Sequence, residues 1–125
     1  MTQQPLARSH VDEFILEQIE TVPHLEALLL LWNSRTKQWS LQEIANALYI
    51  SNEAADGVLQ DLKQRNLIAE NSSAYSYNSD LSRDNLIEEV DKTYRKELLR
   101  ITRMIHSKAP SSVREFARAF RFKKD

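Results

Sequence analysis

Glycine is nearly absent from this chain, which has one glycine, Gly57, among 125 residues. Tight turns and phosphate-binding loops usually need glycine, because the backbone there adopts positive φ or approaches a ligand closely. The sequence therefore argues against large sheets and nucleotide-binding loops, and it favours a helical protein. The chain also has no cysteine, which excludes a disulfide framework. At this length we expect one domain, 1–125.

Hydropathy gives no sign of a membrane protein. The longest apolar run, from Ala27 to Trp32, is far shorter than the roughly 20 residues that cross a bilayer. The N-terminal sequence MTQQPLARSH also lacks the apolar segment of a signal peptide. We therefore expect a cytoplasmic protein without a membrane span.

The charges are divided unevenly along the chain, although the formal net charge is only −1. Residues 1–91 contain 6 Lys/Arg and 15 Asp/Glu, whereas residues 92–124 contain 11 and 2. An acidic body and a basic end each attract partners of opposite charge, so the division indicates binding. The alternative is that the two regions neutralise each other within the chain or across a dimer.

Apolar residues at helical spacing predict six helices. Two of them begin with a capping box, at Ser40 and at Ser112, in which serine and a glutamate three residues later satisfy each other's backbone N–H. Alternating residues on either side of 71–73 predict a small hairpin, and 34–39 is predicted to be a loop. The predicted helices cover residues 9–22, 24–33, 41–48, 53–65, 80–106 and 112–122.

Residues 48–68 read LYISNEAADGVLQDLKQRNLI and resemble winged helix-turn-helix regulators of the MarR type. The resemblance covers about 24–78 and implies a mainly α fold with a small two-stranded wing and a long C-terminal helix. The flanking helices, 9–22 and 80–122, would then contribute to dimerisation and to the basic end. The core and turn residues that carry the resemblance are Leu48, Ile50, Ser51, Ala55, Val58, Leu59, Leu62, Arg65, Leu67 and Ile68.

The resemblance implies a transcriptional regulator, not an enzyme, that binds double-stranded DNA as a homodimer. Helix 53–65 would lie in the major groove, and the wing, about 71–74, would touch the minor groove or the backbone. The implied groove contacts are Ser51, Asn52, Gln60, Lys63 and Gln64. The basic end would add phosphate contacts from Arg114, Arg118, Arg121, Lys123 and Lys124.

The charge of the implied recognition helix favours a different function. Segment 40–79 has 2 Lys/Arg and 5 Asp/Glu, whereas DNA affinity comes largely from cations that neutralise phosphates. The alternative is a winged helix that has lost DNA binding and docks other proteins, with the basic end on an acidic partner. Gly57, on the exposed side of this helix, either permits close approach of a partner or is a drifted surface position.

A stripe of apolar residues along helix 80–106 predicts pairing with another helix. The partner is either a second copy of the chain or the first two helices of the same chain. No metal, cofactor or catalytic site is expected, since the three histidines lack metal-ligand spacing and no serine lies in a nucleophile-elbow sequence. The stripe, and hence the expected dimerisation residues, consists of Ile87, Val90, Tyr94, Leu98, Ile101 and Ile105.

Overall fold

The structure, a computed structural model, describes residues 8–108 and has six helices and three strands within them. It confirms a mainly α winged helix, while the predicted helix at 112–122 and its capping box lie outside the described residues. No helix of the described part is long and apolar enough to cross a membrane. The elements are α1 (Arg8–Gln18), α2 (Val22–Asn33), β1 (Trp39–Ser40), α3 (Leu41–Leu48), α4 (Asn52–Gln64), β2 (Ile68–Asn71), β3 (Ala74–Tyr77), α5 (Leu81–Lys96) and α6 (Leu98–Ser107).

Helix α2 occupies the centre of the core, as its almost continuous apolar sequence predicts. Its leucines at 25, 28 and 31 are fully buried, and α3, α4, α6 and β3 all pack against it. The Thr21 hydroxyl caps this helix by accepting the N–H of His24, and proline occupies the first turn, where no N–H is needed. Each buried leucine contributes about 1.5–3 kcal/mol, so α2 positions the surrounding elements.

Helix α1 ends earlier than the sequence predicts, at Gln18 instead of residue 22. The prediction was wrong because Thr21 must be extended, at φ −141° and ψ 169°, to cap α2. The last carbonyls of α1 are instead satisfied from far along the chain. Lys108 Nζ donates to the carbonyls of residues 15, 16 and 19, and Arg65 Nη1 donates to that of Glu17 at 3.2 Å.

Two serine caps fix the helix-turn-helix. In the predicted capping box, Ser40 Oγ accepts the Glu43 N–H at 3.1 Å, and Glu43 Oε1 accepts the Ser40 N–H at 3.0 Å. Ser51 Oγ accepts the N–H of Ala54 at 3.0 Å and begins α4. Only Tyr49, Ile50 and Ser51 separate the two helices, so the turn holds α4 at a fixed angle to α3.

The wing is the predicted hairpin, with a third strand that the sequence did not indicate. Strands β2 and β3 pair from Ile68↔Tyr77 to Asn71↔Ala74. Ser72 and Ser73 at the tip both have positive φ, 52° and 66°, which a type I′ turn requires. Strand β1 pairs with β3 through Trp39↔Tyr75, so residue 39 was wrongly assigned to the loop; a two-residue strand has no periodicity to detect.

The predicted long helix 80–106 is interrupted at Glu97, where φ is −127° and ψ is 48°. Helix α6 consequently packs against α1, α2 and α5 of the same chain. The Glu97 carboxylate accepts hydrogen bonds from Arg100 at 2.7 Å and from Arg8 at 2.6 Å, which lower its pKa. The single-helix prediction was wrong because burying α6 outweighs the few helical hydrogen bonds lost at the break.

Four of the six stripe residues are buried in the core of their own chain: Ile87, Val90, Ile101 and Ile105. Tyr94 is half-buried, and its hydroxyl donates to Glu26 at 3.0 Å. Only Leu98, with 48% of its surface exposed, is largely available to a second chain. Most of the stripe therefore serves the intrachain packing that the sequence left open as the alternative.

Candidate nucleic-acid interface

The groove contacts implied by the resemblance lie on α4 and its N-cap. Ser51, Asn52 and Gln64 are exposed, while Gln60 and Lys63 are half-buried. The opposite side of α4 is anchored in the core by Ala55, Val58, Leu59 and Leu62. The structure thus presents one continuous helical surface to solvent beside the wing.

The N-terminal end of α4 carries an amide cluster, defined by Gln42, Asn46 and Asn52. Asn52 Nδ2 donates to Gln42 Oε1 at 3.0 Å, and Gln42 Nε2 donates to Asn46 Oδ1 at 3.2 Å. All three side chains are exposed. Amides of this kind hydrogen-bond adenine edges and phosphate oxygens.

Sequence reasoning found only one member of the amide cluster, Asn52. Gln42 and Asn46 were missed because they lie on α3, the helix before the implied recognition helix. A signal was present, since both are polar, four residues apart, and opposite the buried Ile44 and Ala45. Spacing alone gives no indication that they meet α4.

Next to the amide cluster, from the first turn of α4 onward, the exposed surface of this helix is acidic. We call Glu53, Asp56, Gly57 and Gln60 the α4 outer face. Gln60 Nε2 donates to Asp56 Oδ1 at 3.4 Å, and within residues 8–108 neither acid of this face forms an ion pair. This surface repels a phosphate backbone.

The two cations of this region are already engaged. Lys63 Nζ lies 2.8 Å from Glu70 Oε1 on β2, and the hydrogen bond raises the pKa of Lys63 and lowers that of Glu70. Arg65 reaches the end of α1 instead of solvent. The wing adds no compensating charge, since no Lys or Arg occurs from residue 66 to residue 82.

Tyr49, in the turn of the helix-turn-helix, has an unusual backbone and an unusual exposure. It adopts the left-handed conformation, with φ 59° and ψ 43°, which costs a residue with a Cβ about 1–2 kcal/mol. Its side chain is 94% exposed. The sequence pattern did not predict this conformation. The available signal was the position of Tyr49 directly after α3, where helices commonly end in a left-handed residue that is usually glycine.

Gly57 faces open space, since a Cβ built on it would meet nothing within 4 Å. Neither positive φ nor internal crowding explains the glycine. Its position on the exposed side of α4 agrees with the helical spacing of the sequence.

Two further sequence expectations concern the basic end and metal binding. Residues 114, 118, 121, 123 and 124 lie outside the described residues. Within the described range, no group of three histidine or acidic side chains is arranged to hold a metal ion.

No family model matches this sequence, and no curated protein matches it. Solved structures do match at the level of the fold. A MarR family protein of Mycobacterium tuberculosis is 19% identical, with a TM-score of 0.55 over 94% of this chain and 85% of that chain. In complex with DNA, that family protein is 20% identical with a TM-score of 0.54, over 98% of this chain and 100% of that chain.

MepR, a transcription regulator of the Staphylococcus aureus multidrug efflux pump MepA, is 16% identical. Its TM-score is 0.55, over 94% of this chain and 86% of that chain. A MepR–DNA complex matches 80% of this chain and 90% of that chain with a TM-score of 0.54. Together with the order of elements, these similarities show that the chain has the winged-helix fold found in MarR family transcription regulators.

Proposed function

We propose that this chain is a winged-helix transcriptional regulator that binds double-stranded DNA and has no catalytic activity. The amide cluster is the observation that supports this most strongly. It places three neutral hydrogen-bonding side chains at the N-terminal end of α4, where a recognition helix contacts base edges. Structural neighbours with the same fold form complexes with DNA.

The contacts fall into two groups in this proposal. Asn52, Gln42 and Asn46 read base edges, while the Ser51 N-cap lies near a phosphate at the helix end. Gln60, Lys63 and Gln64 extend the contact along the groove. The basic residues of the C-terminal segment, 109–125, supply the phosphate charge that α4 and the wing lack.

The DNA-binding form in this proposal is a homodimer. Leu98 and Leu99 are 48% and 66% exposed at the start of α6, and Leu16 on α1 is 39% exposed. Exposed leucines on the two helices that pack side by side favour association of two copies. Sedimentation equilibrium of the full chain, compared with a Leu98→Glu/Leu99→Glu variant, tests the dimer separately from DNA binding.

DNA binding is tested with the full chain by selecting from a random duplex library and measuring fluorescence anisotropy of the enriched duplex. We expect saturable binding that weakens as salt rises from 50 to 200 mM. Asn52→Ala should weaken binding about 5- to 100-fold, as loss of a base contact does. Gln38→Ala is the matched control, because it removes an exposed amide from the loop before β1.

A second function is supported by the acidic α4 outer face and the Lys63–Glu70 ion pair: a protein-interaction adaptor. In that case the full chain shows no saturable DNA binding even at low salt. It instead binds a basic peptide, with oligoarginine as the probe, and a Glu53→Gln/Asp56→Asn variant loses this binding. Salt-sensitive duplex binding that needs Asn52 would exclude the adaptor as the primary function.

A further inference from the structure

We propose that the α4 outer face is a docking surface for the basic C-terminal segment, 109–125, of the same chain. The docking brings Arg114, Arg118 and Arg121 against Glu53 and Asp56. It accounts for three features of α4 that DNA binding leaves unexplained: its acids, its glycine and the exposed tyrosine beside it. The docking does not depend on DNA.

The first support is charge complementarity. Segment 40–79 has 2 Lys/Arg and 5 Asp/Glu, and the C-terminal segment has 5 Lys/Arg and 2 Asp/Glu. Among residues 8–108, Glu53 and Asp56 form no ion pair, and Lys63, the cation whose charge acts on Asp56, is already paired with Glu70. By contrast, Asp12, Glu70 and Glu97 each pair with a lysine or an arginine inside the described part.

The second support is the place where the C-terminal segment begins. Lys108 donates to the carbonyl of Leu16 at 2.8 Å and to that of Ile19 at the end of α1. Arg65, the C-cap of α4, donates to the carbonyl of Glu17 at the same end. The side chains of Lys108 and Arg65 therefore reach the same end of α1, so the C-terminal segment starts within two side-chain lengths of the C-cap of α4.

The third support is length. Helix α4 has 13 residues and is therefore about 20 Å long. The 17 residues after Lys108 span about 25 Å as a helix and roughly 56 Å when extended. The extended length exceeds the length of α4 plus the reach of the two anchoring side chains, so the C-terminal segment is long enough to reach Glu53.

The side chains on and beside the α4 outer face are suited to bind the arginines and phenylalanines of the C-terminal segment. Gly57 leaves open space at the middle of the face, so an arginine or phenylalanine can lie directly on the helix backbone. Tyr49 at the far end offers a fully accessible ring, and arginine stacks on such rings. The C-terminal segment has arginines at 114, 118 and 121 and phenylalanines at 116, 120 and 122.

The docking does not rest on the proposed DNA-binding function. It is therefore tested without DNA, and its outcome does not depend on whether a duplex binds.

The absence of cysteine allows a single spin label. We would place a nitroxide on an Ala119→Cys variant of the full chain and record paramagnetic broadening of the backbone amide signals. Broadening should be strong at residues 53, 56, 57 and 60 and weak at Glu88 and Glu89, exposed or half-buried acids on α5. Mixing isotope-labelled, nitroxide-free chain with spin-labelled, unlabelled chain separates intramolecular from intermolecular contact.

Charge variants and salt complete the test. Raising salt from 50 to 500 mM, or introducing Glu53→Gln/Asp56→Asn, should remove most of the α4 broadening. The matched control, Glu88→Gln/Glu89→Gln, makes the same charge change on α5 and should leave it intact. Three outcomes would overturn the proposal. The first is equal broadening on α4 and α5, and the second is broadening that is unchanged in the Glu53→Gln/Asp56→Asn variant. The third is broadening that is seen only in the mixed sample.

Discussion

Lys63 Nζ lies 2.8 Å from Glu70 Oε1, so the one lysine of α4 is neutralised by a carboxylate on strand β2 of the wing. A Glu70→Gln variant should release this lysine for phosphate. We expect tighter duplex binding and a salt slope that is steeper by about 1 in log K against log [salt]. Anisotropy titrations at several salt concentrations measure both.

The matched control for that prediction is Glu88→Gln, which makes the same charge change on α5, away from the wing. Equal effects of the two substitutions would indicate general electrostatics instead of release of Lys63. An unchanged salt slope in Glu70→Gln would show that this lysine does not face the duplex.

The break at Glu97 makes a prediction about stability. Ile101→Ala should lower the free energy of unfolding by about 2–5 kcal/mol, because it leaves a cavity where α6 packs on α1 and α2. Leu81→Ala, at the start of α5 and 91% exposed, should change it by about 0.5 kcal/mol or less. Urea unfolding of both variants checks the difference. A similar loss of unfolding free energy in both variants would contradict the packing of α6 onto its own chain.

The left-handed conformation of Tyr49 predicts a stabilising substitution. Tyr49→Gly should raise the free energy of unfolding by about 1 kcal/mol, because glycine adopts φ 59° without the Cβ clash. Tyr49→Ala retains the clash and, since the ring is exposed, should change stability little. Urea unfolding distinguishes them, and equal stability of the two variants would show that the backbone at residue 49 is not strained.

The Asp84 carboxylate predicts how stability depends on pH. It accepts hydrogen bonds from the Asp80 N–H at 3.0 Å, from Tyr77 at 2.7 Å and from Ser79 at 2.9 Å. These bonds, the backbone one first, hold its pKa below the ordinary 3.8. The ionised form is therefore favoured by folding, and its contribution is present above pH about 4 and lost as the pH falls through the folded pKa.

We accordingly expect Asp84→Asn to be less stable than the parent chain at pH 7 and to lose less stability between pH 5 and pH 2. Urea midpoints across that range measure the difference. Glu88→Gln, on the solvent side of α5, should follow the parent curve. Parallel curves for Asp84→Asn and the parent would contradict the role of these hydrogen bonds.

Local rules predict much of the helix-turn-helix. The Ser40 capping box and the apolar positions of α4 depend on residues three or four apart, and such interactions operate before any tertiary contact forms. The hairpin is likewise visible, because its strands alternate over short segments. The acidic surface of α4 also follows from the sequence, since its apolar positions determine which side faces outward.

The sequence does not predict how distant segments are arranged relative to one another. The wrong predictions at Gln18, Trp39 and Glu97 share one cause. A local sequence pattern does not show which distant residues will supply hydrogen bonds or packing when a helix ends early or a loop residue joins a strand. Lys108 and Arg65 complete the end of α1 from far along the chain, and β3 supplies the partner that makes Trp39 a strand residue. The amide cluster likewise exists only because the first turn of α3 lies close to the start of α4.

The sequence by itself thus determined the helical class, the order of the winged-helix elements and the charge of each surface. Those properties depend on composition and short-range periodicity. Only the tertiary structure decided that α6 folds back onto its own chain, that Lys63 is neutralised by Glu70, and that Tyr49 is left-handed and exposed. Each of these features depends on contacts between residues that are distant in sequence. A local sequence pattern contains no information about such contacts.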